Sequence, residues 1–201
     1  VAYRRTEKVQ RRLDAQRDAL VDAAAALLAE GGCPSVSVAA VAERAEVAVG
    51  TVYRHFAGKA GLVVEVFRRI VSKEVAAVEQ VSASPGDPVE RAATVLETFA
   101  RRAMKTPRQA YALLAEPVDP EVEAERLVFR RAYRDVLAAH IRAGVRSGHL
   151  PAQDADVTAA ALVGATAEVL IGPLTSGNTE IVPELRTFTL RALGGHDGRD
   201  T

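Results

Sequence analysis

Four chemically active side chains crowd into one short stretch of this chain: the hydroxyl of Thr51, the phenol of Tyr53, the guanidinium of Arg54 and the imidazole of His55. None is acidic. Hydroxyl and phenol groups bond phosphate oxygens, a guanidinium bonds phosphate or a guanine edge, and the preceding Gly50 lets the backbone approach a partner closely. Lys59 adds a compact positive charge just beyond. This chemistry suits recognition of a polyanion and not bond making. A catalytic reading lacks its residues: there is no Gly-rich phosphate loop after a strand pattern, no HExxH and no CxxC, and His55, His140, His149 and His196 lack metal-ligand spacing. Ser and His occur without the context of a nucleophile elbow, so no enzyme, metal or cofactor is expected.

Two short helices must position these groups. Val38, Val41, Ala42 and Ala45 recur at helical spacing and form one apolar stripe, with Glu43 and Arg44 opposite. A second helix follows at once, in which Val49, Val52 and Phe56 are expected to share a buried face and to turn Thr51, Tyr53, Arg54 and His55 outward. Ser37 is an N-cap candidate for the first of the pair and is counted with the outward-facing set. A helix this short must be held by its neighbours, as in a helix-turn-helix that presents a rigid recognition helix to a major groove.

The string GTVYRHF, with Lys59 and Leu62 after it, resembles the DNA-binding signature of the TetR (tetracycline-repressor) family over roughly the first third of the chain. The resemblance implies that Thr51, Tyr53 and His55 contact operator DNA and that Lys59 contacts phosphate from the start of the next helix. It also implies a dimer with an all-helical C-terminal domain that binds a small effector. Where the family commonly has Gly, Val, Ser before the recognition helix, this chain has Glu46, Val47, Ala48. The turn therefore lacks its glycine, Glu46 is expected either to carry a positive φ at some strain or to face a phosphate unfavourably, and the missing hydroxyl cap costs about 1 kcal/mol. Cys33 stands where the family often has an aromatic, and Ala60 where it often has Glu. A helical small-molecule-binding protein with weak or lost DNA affinity is the alternative reading, resting on Glu46 and Ala48.

Composition agrees with a helical protein. The 201 residues suffice for one or two domains with a real core, and 48% are hydrophobic but only 4% aromatic, which favours close alanine-rich helix packing. Net charge is zero, so only local charge argues for nucleic acid. Arg4, Arg5, Lys8, Arg11, Arg12 and Arg17 outweigh Glu7 and Asp14 in a basic arm expected to precede the first helix, with Arg17 as its best DNA-facing candidate. The lone Cys33 forms no internal disulfide and reads as a small buried residue. No signal peptide is visible, and the apolar run from Ala159 to Leu174 contains Glu168 and falls short of a clean membrane span, so a soluble cytoplasmic protein is expected.

Helices are predicted at Ala15 to Glu30, Lys59 to Val81, Val89 to Lys105, Pro107 to Ala115, Glu121 to Ser147, Asp156 to Gly172 and Glu180 to Leu193, broken by Pro and Gly. The fold class is all-α: an arm and three-helix DNA-binding domain over 1–60, then an effector-binding and dimerisation domain over 61–201. For the dimer face, Ala160 with Gly164 and Ala161 with Ala165 place small residues four apart. Val157, Leu162, Leu170 and Ile171 are expected to add apolar area beside Glu168, and Leu185, Phe188 and Leu193 to join from the last helix. For the effector, Val122, Arg126, Phe129, Tyr133, Val136 and His140 share one face of the longest helix, and Phe99, Met104 and Tyr111 come from neighbouring helices. Buried polar groups need partners, so Arg126 is expected to pair either with Glu116 or with a carboxylate or hydroxyl of the effector.

Overall fold

The computed structural model describes residues 7–178 and 180–194, all helix, turn and loop, with no strand among them. Nine α-helices follow one another among these residues: α1 Glu7–Gly31, α2 Val38–Arg44, α3 Val49–His55, α4 Lys59–Ser82, α5 Pro88–Lys105, α6 Pro107–Leu114, α7 Pro120–Arg146, α8 Ala155–Ser176 and α9 Ile181–Ala192. A single 3-10 turn, Cys33–Ser35, joins α1 to α2. Pro at the first position of α5, α6 and α7 marks where those helices begin, because its missing N–H is an orphan there in any case. The C-terminal turn of α8 ends in a left-handed Gly177.

The first helix departs from its predicted start. It begins at Glu7 and not Ala15, so Lys8, Arg11 and Arg12 ride on its exposed first turns instead of forming an arm ahead of it. Arg4 and Arg5 lie outside the described residues.

Three apolar clusters hold the helices. The first gathers Leu20, Leu28, Val41, Val52, Phe56, Leu62 and Phe67 from α1 to α4 and closes on Ala112 and Leu113 of α6 and Val122 of α7. The second packs α4, α5, α7 and α8 around Leu96, Phe129, Leu137, Ile141 and Leu162. The third joins α5, α6, α8 and α9 through Ala100, Leu114, Leu170 and Leu185. Helix α4 therefore reaches from the N-terminal helices into the C-terminal bundle, and its 24 residues form one continuous rod.

With 22 residues, and a mean hydropathy of 1.7 over an 18-residue window, α8 is by length and composition apolar enough to cross a membrane, contrary to the shorter run expected from sequence. It is also packed against α5, α6, α7 and α9, as a bundle helix would be.

The turn between α2 and α3 closes without its usual glycine. Glu46 takes a φ of 54°, in the left-handed region, while its N–H bonds to Glu43 O and the Val47 N–H bonds to Ala42 O. A side chain there strains the backbone. Glu46→Gly is expected to raise stability by about 0.5–1 kcal/mol and Tm by about 2 °C, checked by thermal melting; a fall in Tm would show that the Glu46 side chain contributes more than its strain costs.

Candidate nucleic-acid interface and effector cleft

Helix α3 is seven residues long and is pinned by Val52 and by Phe56 just after it, both buried in the first cluster. Pinned on one side, it offers Tyr53 to solvent at 60% exposure, with Arg54 exposed and Thr51 half-buried beside it. Gly50 is exposed, and a Cβ there would meet nothing within 4 Å. One part of the expected pattern is wrong: Val49 is 44% exposed and does not share the face of Val52. It occupies the first turn of α3, where the chain has only just left Ala48 and the core lies beneath the following turn.

Ser37 caps α2, its hydroxyl accepting from the Ala40 N–H at 3.1 Å, whereas Ala48 offers α3 no such group. Arg54 donates to Gln16 Oε1 at 2.8 Å, and His55 Nε2 lies 3.0 Å from the same oxygen. Burial, followed by the charges of Arg54 and Arg17, pushes the His55 pKa below its ordinary value, so the ring favours its neutral form. Arg17 has structural partners: it is ion-paired to Glu65 at 2.5 Å and stacks over the Phe56 ring at 5.2 Å. Its expected role as a free DNA-facing cation gives way to tying α1 to α4. Lys59 is the first residue of α4, beside the unpaired N–H groups of that helix, and donates to Cys33 O at 3.1 Å. A cation at a helix N-terminus is unfavourable on its own and is tolerated where an anion approaches.

Two apolar clefts open at the other end of α4. One, a narrow cavity of about 20 Å³, is lined by Phe99, Arg102, Leu113, Leu114, Phe129 and Glu74 of α4. Its neighbour, also of about 20 Å³, is lined by Leu96, Phe99, Phe129, Arg130, Tyr133 and Thr166. The rings of Phe99, Phe129 and Tyr133 meet edge to face or tilted, with centroids 4.7–6.2 Å apart, and wall the two clefts from each other. Arg102 grips Glu74 with two hydrogen bonds of 2.6 and 2.8 Å, fastening α5 to α4 at the rim. Inside, Tyr133 Oη and Arg130 Nε are buried without a hydrogen-bond partner. Burial and the charge of Glu74 raise the Tyr133 pKa well above that of an ordinary phenol, so the group stays protonated.

The remaining expected effector contacts fall elsewhere. Arg126 is 8% exposed and does not use its guanidinium on the Glu116 carboxylate or on open space. It donates to Leu113 O at 2.8 Å, Ala112 O at 3.2 Å and Glu116 O at 2.7 Å, and pairs with Glu123 at 2.6 Å. These carbonyls are those left unpaired where α6 ends, so Arg126 is a cap. The Glu116 carboxylate turns the other way, to Arg108 at 2.6 Å and to the Cys33 N–H at 2.7 Å. His140 lies off the clefts with Nε2 2.5 Å from Ser82 Oγ, and burial followed by the Arg91 charge lowers its pKa. Met104 and Tyr111 pack on the third cluster without lining either cleft.

On α8 Val157, Ala161, Gly164, Glu168 and Val169 are among the exposed residues, with Ala160 and Ala165 half-buried. Phe188 of α9 is 46% exposed. Leu162, Leu170, Leu185 and Leu193, expected to supply interface area, are instead buried within the subunit. Leu127 and Val128 of α7 are also exposed, a feature that the sequence reading missed.

A short recognition helix on a helix-turn-helix, rigidly continued into a helical bundle with an apolar cleft, defines a DNA-binding regulator architecture. The chain belongs to the TetR family: the model described as bacterial regulatory proteins, tetR family, matches residues 20–66, and the tetracyclin repressor-like C-terminal domain model matches residues 85–170. Among curated proteins it is similar to the HTH-type transcriptional repressor KstR of Mycolicibacterium smegmatis, 38% identical over 76 residues, covering 38% of this chain and 37% of that one. The KstR of Rhodococcus jostii is 36% identical over 94 residues, covering 46% and 42%. These matches thus span less than half the length of the relatives. Over nearly its whole length the fold is like that of the transcriptional regulator FadR from Bacillus subtilis in complex with stearoyl-CoA, with a TM-score of 0.76 at 19% identity, covering 89% of this chain and 98% of that one.

Proposed function

We propose that this chain is a homodimeric repressor of transcription that leaves its operator when a small hydrophobic or amphipathic molecule enters the clefts between α4, α5, α6, α7 and α8. The carrying observation is that one helix serves both ends. Lys59 opens α4 beside the recognition helix, and Glu74, fifteen residues on and so about 22 Å away, lines the cleft. An effector that wedges Phe99 from Phe129 disturbs the Arg102–Glu74 grip and tilts that rod. It can do so only to the extent that it binds the tilted state more tightly.

In this reading residues 1–60 are the DNA-binding unit and 61–201 the effector and dimer unit, acting in the cytoplasm without a cofactor. Thr51, Tyr53 and Arg54, with Gly50 and Lys59, face double-stranded operator DNA. Phe99, Phe129 and Tyr133 contact the effector's apolar body. The unpartnered Tyr133 Oη and Arg130 Nε are donors, which favours an effector bearing an acceptor oxygen. KstR is a transcriptional repressor by name, and FadR has been solved with stearoyl-CoA, which supports a ligand-released regulator.

Tyr53→Ala tests the DNA-facing surface. Because Tyr53 is largely exposed, the variant is expected to melt with wild type yet bind operator at least about tenfold more weakly, the loss of about 1.4 kcal/mol. Equal affinity in a fluorescence-anisotropy titration would remove α3 from the interface.

A further inference from the structure

The buried Glu116 carboxylate, at the end of α6, has no role in the effector cleft, yet it reaches into the N-terminal helices. One oxygen accepts the Cys33 N–H at 2.7 Å and the other binds Arg108 at 2.6 Å, while Arg108 also donates to Gly31 O at 2.9 Å. The turn after α1 is shaped for this contact. Gly32 has a φ of 71°, and a Cβ there would stand 2.3 Å from Glu116 Oε1. On its other side the same residue, Cys33, gives its carbonyl to Lys59 Nζ at 3.1 Å. The cysteine side chain is a bystander: burial and the neighbouring Glu116 push its thiol up to about 12, so it carries no charge toward Lys59.

We propose that Glu116 is a positioning residue for DNA binding. It fixes the Cys33 backbone, whose carbonyl holds one of the three ammonium hydrogens of Lys59 and so aims the other two at a DNA phosphate. A lysine side chain is otherwise a flexible stem, and tethering one hydrogen restricts where its charge can sit. The inference rests on the reading of Lys59 as a phosphate contact. It also supplies a second line from cleft to DNA, since Leu113 and Leu114, just before Glu116, line the clefts. Movement of α6 would then withdraw the tether.

The test is the salt dependence of binding by the dimer of this chain to a duplex selected from random-sequence DNA by the wild-type protein. Each phosphate contact contributes about 0.9 to the slope of log K against log salt. Lys59→Ala is expected to lower the slope by about 1.8 per dimer, Glu116→Ala to approach the same loss, and the double variant to lose no more than Lys59→Ala alone. Glu116→Gln, which keeps an acceptor oxygen, should restore most of the slope. Should Glu116→Ala not fold, Glu116→Asp retains the charge beside Arg108 but is too short to reach Cys33, and should also lose slope. A full wild-type slope in the folded Ala or Asp variant, or additive losses in the double variant, would overturn the positioning role. An unchanged slope in Lys59→Ala would instead remove Lys59 from the interface, and the inference with it.

Discussion

Gly164→Arg combined with Phe188→Asp is expected to leave a folded monomer with at least about a hundredfold weaker operator binding, since linking two binding modules multiplies affinity by about 10²–10⁴. The case rests on the faces of α8 and α9. Val157, Ala161, Gly164 and Glu168 succeed one another at spacings of four, three and four on the exposed side of the most apolar helix, and Val157 is 65% exposed. An added Cβ at Gly164 or Gly172 would meet nothing within 4 Å, so a partner helix has room to approach the backbone closely. Single surface hydrophobes are ordinary, but exposed Val157, Val169 and Phe188 on two helices that pack together, beside small Ala161 and Gly164, are the pattern of an interface. An arginine on that face and a carboxylate in place of the ring would each be desolvated by a partner, while a monomer solvates both. Light scattering reports the mass and circular dichroism the fold. A variant that remains a dimer would place the interface elsewhere, and the exposed Leu127 and Val128 of α7 would be examined next.

Arg126→Ala is expected to lower folding stability by about 3–5 kcal/mol, the range for breaking a buried charged network. Its guanidinium caps three carbonyls at the end of α6 and pairs with Glu123. Removal leaves buried acceptors without donors, each costing about 1–3 kcal/mol before relaxation. Because α6 walls the clefts, part of the loss should appear as local opening there before global unfolding. Urea denaturation followed by circular dichroism gives the magnitude. If the variant matches wild type in stability and loses only its response to acidic effectors, Arg126 is a ligand group after all.

The contrast between these residues and the recognition helix shows what sequence can carry. The exposure of Tyr53 and Arg54 was legible because a short helix with a buried Val52 and Phe56 has one outward face, although the same periodicity wrongly turned Val49 inward. Most helix extents followed from Pro and Gly punctuation, since those residues act locally, but α8, expected to stop at Gly172, runs on through Pro173 to Ser176. Arg126 was misread because its partners are backbone carbonyls, which every residue possesses and no spacing marks. Glu116 was assigned to the wrong cation for the same reason: its main partner is the Cys33 N–H, reached across 83 positions of chain. The start of α1 was missed because Lys8, Arg11 and Arg12 read as an arm, although charged residues on a solvated helix face cost little. On α8, periodicity identified small and apolar positions but could not separate those packed inward, such as Leu162 and Leu170, from those facing out, because both sides are apolar. The positive φ at Glu46 was one of the two outcomes expected from the missing glycine, and the turn hydrogen bonds close regardless.

The claim that matters most is that two recognition helices read two half-sites on one duplex. Hydroxyl-radical footprinting of the protein on DNA that it has selected from a random pool, at about 50 and 200 mM salt, tests it most directly. The account predicts two protected patches on one face of the duplex, about 34 Å or a multiple of it apart, weakening together as salt rises and both lost in Tyr53→Ala. Protection confined to a single patch, or selection of no sequence by a protein shown to be a folded dimer, would contradict it.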